Sequence, residues 1–362
     1  MPGWPTDPSM AAQTALRERH PLADALAQGD GWIGPAQEPA DLVRVCSLLR
    51  RQAQILYQEG LRSDVLTRIV AHWNDAVLRR LLQMYAEAFS GIRWCWLALG
   101  SEGREEQTLH TDQDNALLFE SQDPAQTRDR LLPILREINE WLDRCGYVLC
   151  PGDVMASNPR WCLSAGEWRQ VFASWIDTGD PQALLHGAIF FDFRGIAGDQ
   201  DLASELRTWL LEHLKPRPVF LKMLAAQAVA NAPPLWPWRD LRTRRHQGQA
   251  VIDLKVNGVA LFVDAARVLS LAAGVPPTQT TTRLEQSARR PSEQRDRQAW
   301  VAAYRSLQDL RVRWQFTCME RGLEVGNRIP VSELSRFDRA LLVQALTEAK
   351  KMQSSLRLRY LL

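Results

Sequence analysis

The sequence predicts an α/β plus α protein: a small mixed sheet with helices before it and a helical domain after it. Three observations predict this. Apolar residues recur every three or four positions from about 41 to 89, the period of a helix buried on one face. Two short apolar runs, 92–99 and the one that follows Asp114, break that period and are bounded by glycines or polar loops, as buried strands are. After Gly198 the helical period returns and holds to about 359.

In chain order, residues 1–37 are rich in Pro, Gly, Ala and Asp and read as a partly ordered leader. A helix is expected over 41–61. A second starts near Ser63, an N-cap candidate, with Asp64 favourable beside the helix dipole. Its apolar face runs through Leu66, Ile69, Trp73, Val77, Leu81, Tyr85 and Phe89. The run IRWCWLAL (92–99) predicts the first strand and DQDNALLFE (112–120) the second. An amphipathic helix over 124–145 should stop at Gly146, and YVLCPGDVM (147–155) predicts a third strand interrupted by Pro-Gly. Residues 188–193 fit a strand or a buried helix equally. Further helices are expected over 200–214, 217–231, 250–273, 293–321 and 332–359. The proline-rich, basic connector 233–248 should be a loop. The division that follows is a leader (1–37), a helical segment (38–90), an α/β core (91–195) and a helical domain (196–362).

Composition narrows the function. Forty-four basic residues oppose 42 acidic ones, so the net charge of +2 gives no reason to expect a nucleic-acid polymer as partner. The six cysteines form no CxxC pair and no zinc spacing, which fits reduced thiols. No signal peptide and no run of about 18 uninterrupted apolar residues is visible, so a cytoplasmic protein without a membrane partner is expected.

The chemistry concentrates in GSEGREEQTLHTDQDNALLF, residues 100–119. Gly100 and Gly103 allow a backbone to approach phosphates, and the N–H groups of such a turn bind phosphate oxygens. The Ser101 hydroxyl can add a bond, and Arg104 can neutralise phosphate charge. Asp112 and Asp114, two apart on a strand, share one face and can hold Mg²⁺, or Mn²⁺ in its place, through hard oxygen ligands. The segment is not a P-loop, for no GK[ST] follows, and not a dinucleotide fingerprint, for no GxGxxG opens a helix. A third carboxylate remains open: Asp153 follows the motif but sits beside Pro151 and Gly152, where a turn is equally natural. Asp192 has Arg194 beside it, which favours a salt bridge. His110 and Glu105 read as solvent-facing loop residues, with Glu106 solvated or paired to an arginine. Lys255 and Arg267 can face a nucleotide or serve between helices, and the basic run 239–246 can hold an acidic acceptor or be a solvated loop.

Strand, GS loop and a strand with DxD resemble the DNA polymerase beta-type nucleotidyltransferase superfamily. Within it the chain resembles the nucleotidyltransferases related to the PII uridylyltransferase (GlnD-like), often fused to CBS domains. The family pattern GSxGRxExxxxTDQDNA is matched by Gly100, Ser101, Gly103, Arg104, Glu106, Thr111, Asp112, Gln113, Asp114, Asn115 and Ala116. Softer matches lie at 150–161, 190–199 and 252–275, the last in the family's C-terminal substrate-binding domain. The resemblance covers roughly 40–362. It implies transfer of an NMP from an NTP, ATP or UTP, to an acceptor such as a signalling protein, with pyrophosphate released. It assigns Mg²⁺ to Asp112 and Asp114, the triphosphate to Gly100, Ser101, Gly103 and Arg104, and completion of the catalytic set to Asp153. A regulatory protein that binds nucleotide without transferring it is the alternative. No CBS segment is recognised before the core, so such control is expected to be lacking or to act in trans.

Overall fold

Strand β1 (Arg93–Ala98) lies inside a four-stranded sheet of order β3-β2-β1-β4. It pairs antiparallel with β2 (Asn115–Glu120) and with β4 (Arg194–Gly198), and β2 pairs parallel with β3 (Cys162–Ser164). The computed structural model describes residues 22–109, 111–179, 181–236, 240–246, 248–288 and 290–362. The architecture is α/β plus α, as the pattern of periods predicts.

The alternation along β1 explains how the sheet is covered. Cys95, Leu97 and Leu99 face one core, with Leu118 of β2, Phe172, Phe191 and Phe262. Trp96 and Ala98 face the other, with Leu117, Phe119, Leu42, Ile69, Trp73 and Leu135. A strand buried on both faces needs an unbroken apolar run, which is what residues 94–99 supply. The second core is closed by α1 (22–33), α2 (Pro39–Gln58), α3 (Ser63–Met84) and, after the sheet's first two strands and the short helix α4 (Gly100–Gly103), α5 (Pro124–Arg144). The leader expected over 1–37 is therefore helical from 22 to 33, and Ala25, Ile33 and Ala36 are buried. Its first 21 residues lie outside the described ones.

The first core is closed by α6 (Ala165–Thr178), α7 (Pro181–Phe190), α8 (Gln200–Leu214) and α9 (Pro218–Ala230). Ser164 starts α6 with a reciprocal capping box: Ser164 Oγ accepts from Glu167 N, and Glu167 Oε2 accepts from Ser164 N at 2.8 Å. After α9 come the short strands β5 (Arg244–His246) and β6 (Gln249–Asp253), a π-helical turn (Lys255–Val259), α10 (Ala260–Ala273), α11 (Thr280–Gln286), α12 (Pro291–Glu320), β7 (Arg328–Pro330) and α13 (Arg336–Tyr360). The stretch Lys255–Ala273 is long and apolar enough to cross a membrane, yet most of it is buried inside the protein, where α10 packs on α9 and α11.

Three expectations need correction, and one open reading is decided. Residues 147–155 form no strand; Pro151 offers no N–H and the chain turns at Gly152, so only Val148 bridges to Asp112. The third strand is Cys162–Ser164. Residues 249–253 are strand rather than the start of a helix, in a second sheet of order β5-β6-β7, so the connector before them is not all loop. Ser63 does not cap α3: Arg62 holds that position, and Ser63 Oγ donates instead to Asp309 Oδ1 at 2.7 Å. Residues 188–190 resolve as helix, the end of α7.

Candidate active site

The motif segment enters the site between β1 and β2. Residues 112–115 alternate, and each side of the alternation has its own task. Gln113 and Asn115 point inward and are buried. Gln113 Nε2 donates to the carbonyls of Asn139 (2.9 Å) and Tyr147 (2.8 Å), and its Oε1 accepts from Asn139 Nδ2 at 2.7 Å. Asn115 Oδ1 accepts from Ala156 N at 2.8 Å. Backbone bonds from Gln113 N to Val148 O (2.8 Å) and from Asn115 N to Val154 O (3.1 Å) hold the strand end in place. With these amides satisfied in the interior, Asp112 and Asp114 are fixed on the opposite side, both partly exposed.

Oxygens of Asp112 and Asp114 and the sulfur of Cys150 all lie within 4.8 Å of one another. Burial, followed by the Asp112 charge, pushes Asp114 up to about 6. Burial, with Asp114 also contributing, pushes the Cys150 thiol up to about 11, so it stays protonated beside the carboxylates. Two convergent carboxylates offer the hard oxygen ligands that a divalent cation such as Mg²⁺ takes. Lys255 faces the pair from the π-helical turn, its Nζ 3.9 Å from Asp112 Oδ1.

The loop before the pair divides in two. Gly100 adopts φ +49°, which favours glycine, and a Cβ there would stand 2.5 Å from Asp114 Oδ2, so a side chain at this position would displace the carboxylate. Ser101 follows, partly exposed, at the start of α4. Gly103 and Arg104 turn the other way. A Cβ on Gly103 would fall 2.1 Å from the Asp192 carbonyl, so this glycine serves close packing. Arg104 Nη1 binds Asp192 Oδ2 at 2.6 Å and its Nε binds Glu106 Oε2 at 2.8 Å. The Arg104 guanidinium, expected at a phosphate, is here engaged by Asp192 and Glu106. Glu106 also accepts from Thr280 N at 2.6 Å, which fastens the loop to α11.

Asp192 does not reach the pair either. It is fully buried and bound by Arg104, by Arg267 through two bonds (2.9 and 2.7 Å) and by Arg283 at 2.5 Å. Burial alone would raise its pKa, but the three guanidinium groups outweigh it and hold the carboxyl well below the carboxylate range. Arg267 therefore serves between elements and not at a nucleotide. Arg194, next in line, pairs with Asp75 at 2.8 and 3.0 Å.

Asp153 sits in a turn at φ +54°, and its carboxylate accepts from Asn158 Nδ2 at 2.8 Å. It is not in the cluster of ligand atoms with Asp112 and Asp114. His110 lies outside the described residues. Two neighbours escaped sequence reasoning. Cys150 offered no metal spacing. Glu102 lies inside the motif and shares a recess with Asp112, Gln107 and Asn74. Burial, then Asp75, pushes its carboxyl up to about 8.

No curated protein is similar enough to the chain to count as a match. Residues 47–182 match the family described as "Putative nucleotidyltransferase DUF294", and residues 218–360 match its companion, "Putative nucleotidyltransferase substrate binding domain". The first match contains both aspartates and the GS loop; the second contains Lys255, which faces them. With both parts present in the family's order over most of its length, the chain belongs to this nucleotidyltransferase family.

Proposed function

We propose that the protein is a Mg²⁺-dependent nucleotidyltransferase that moves an NMP from ATP or UTP to an acceptor and releases pyrophosphate. The observation that carries this reading is the convergence of Asp112 and Asp114 against Gly100, where no side chain separates the loop backbone from the Asp114 carboxylate. In this reading Asp112 and Asp114 hold the cation, and Gly100 and Ser101 present backbone and hydroxyl to the triphosphate. Lys255 neutralises phosphate charge from the opposite wall, the task expected earlier of Arg104. Mg²⁺, when bound, supplies charge stabilisation at the attacking and leaving oxygens.

The transfer itself is an in-line displacement. The acceptor oxygen bonds to the α-phosphorus, the bond to the β-phosphate oxygen breaks, pyrophosphate leaves, and the acceptor's proton passes to solvent or to a carboxylate. Family resemblance favours a signalling protein as acceptor, in the cytoplasm. Asp153, the first choice for a third carboxylate, is left out of this catalytic set because of its turn. A second reading, nucleotide binding without transfer, draws on one observation: among the described residues the third member of the cluster is the Cys150 thiol and not a carboxylate.

The test is incubation with each of the four α-³²P NTPs and Mg²⁺, with and without cell lysate, beside an Asp112→Asn/Asp114→Asn control. Label on a protein or small molecule that vanishes in the control is the expected result and names base and acceptor class. Nucleotide binding with no transfer from any NTP would sink the enzyme reading in favour of the second.

A further inference from the structure

A second charged pocket opens where the start of α12 meets the end of α13, and none of its lining residues belongs to the site above. Its volume is about 370 Å³, within the usual size of small-ligand sites. Arg297, Trp300, Arg290, Ser355 and Arg359 line it.

Arg297 is the unusual member. It is 4% exposed, and its Nε and Nη1 have no hydrogen-bond partner among the described residues. Its guanidinium stands 4.5 Å from the Trp300 ring centroid, which fixes its plane but satisfies no N–H. A buried cation with unmade bonds is costly unless something outside the fold completes it. Burial pulls Arg297 down to about 10, with repulsion from Arg359 adding to this and attraction to Glu293 and Asp296 offsetting part. Those two carboxylates also line the pocket, so three arginines stand against two acids. Arg290 occupies the N-cap position of α12, a 30-residue helix whose N-terminal dipole also favours an anion.

We propose that this pocket binds a phosphate group, as free inorganic phosphate or as the phosphate of a nucleotide. The planar fork of Arg297 suits two phosphate oxygens, with Arg290 and Arg359 on either side and the Ser355 hydroxyl within the same lining. The helix that carries Arg297 also carries Gln315, which accepts from Leu109 N of the motif loop at 3.2 Å, so the pocket and the catalytic loop share one rigid element.

The test is thermal unfolding of the full chain in EDTA, with potassium phosphate or AMP titrated against potassium chloride at matched ionic strength. Phosphate or AMP should raise Tm saturably, as a ligand of the folded state does. Arg359→Glu, a change at an exposed position, should weaken the response by about tenfold or more. Arg297→Met should abolish it while leaving the unliganded Tm no lower than wild type, because a buried unpaired charge is replaced by an apolar chain. Should Arg297→Met fail to fold, Arg359→Glu decides alone. Asp112→Asn should keep the full response. No saturable rise with either ligand, a rise that survives the arginine substitutions, or one that disappears with Asp112→Asn would each overturn the proposal.

Discussion

Asp192 and Asp114 both adjoin the motif loop, yet their surroundings oppose each other. Asp192 is sealed from water and meets Arg104, Arg267 and Arg283, which come from the motif loop, α10 and α11. Asp114 keeps a path to solvent, meets Asp112 and a thiol, and pays for its charge. The first arrangement completes itself and holds the helical region against the loop. The second is left incomplete on the side where a cation and a triphosphate would enter. A carboxylate whose charge is already matched has a structural task; one whose charge is unmatched and held there by buried amides is poised for a ligand.

Breaking the matched side should give the largest effect. Asp192→Asn removes the anion and leaves three buried guanidinium groups facing one another, so it should destabilise by about 3–5 kcal/mol. Urea unfolding measures this, and a loss below about 1 kcal/mol would mean that the arginines find other partners. Because the Asp192 pKa is depressed, its contribution is present at neutral pH and fades only in strong acid.

The unmatched side should respond with the opposite sign. Asp114 and Glu102 are raised to about 6 and about 8, so folding favours their protonated forms. Stability of the metal-free protein is then highest below their unfolded pKa values and falls as pH rises through about 4 to 8. Asp114→Asn should remove part of that fall and gain about 1 kcal/mol at pH 8, the full shift being reduced by partial exposure. The same substitution should cut transfer at least about a hundredfold. Urea melts at pH 5 and pH 8 give the sign, and a variant less stable than wild type at pH 8 would refute the account of an unmatched carboxylate.

The contrast also marks what a sequence can disclose. Strand β1 was legible because both its faces are buried, so its apolar run is unbroken. The acidic pair was legible because a period of two puts Asp112 and Asp114 on one side, whatever else surrounds them. The partners of each charge were not legible. Arg104 and Asp192 are 88 positions apart, and the approach of Lys255 to Asp112 depends on how α10 docks; spacing carries no record of either. Cys150 reaches the pair through the turn at Pro151, the feature that also stops residues 147–155 from being a strand. Strands β5 to β7 escaped because they are three to five residues long, and Arg244–His246 is polar and exposed throughout.

Asp153 sharpens the comparison from the side of least effect. It is an exposed carboxylate near the motif, but its geometry is that of neither Asp192 nor Asp114. Its φ of +54° is one that asparagine adopts more readily than most residues, and its carboxylate holds Asn158 Nδ2 across the turn. Asp153→Asn keeps an oxygen for that bond and the same side-chain shape. The substitution should therefore leave stability within about 0.5 kcal/mol. If Asp153 takes no part in cation binding, the rate of label transfer should stay within about threefold of wild type, against the hundredfold or greater loss expected for Asp114→Asn. Initial rates over a Mg²⁺ titration separate the outcomes. A large rate loss that high Mg²⁺ partly restores would mean that the turn opens to bring Asp153 to the pair, so that the site completes its third carboxylate only when loaded.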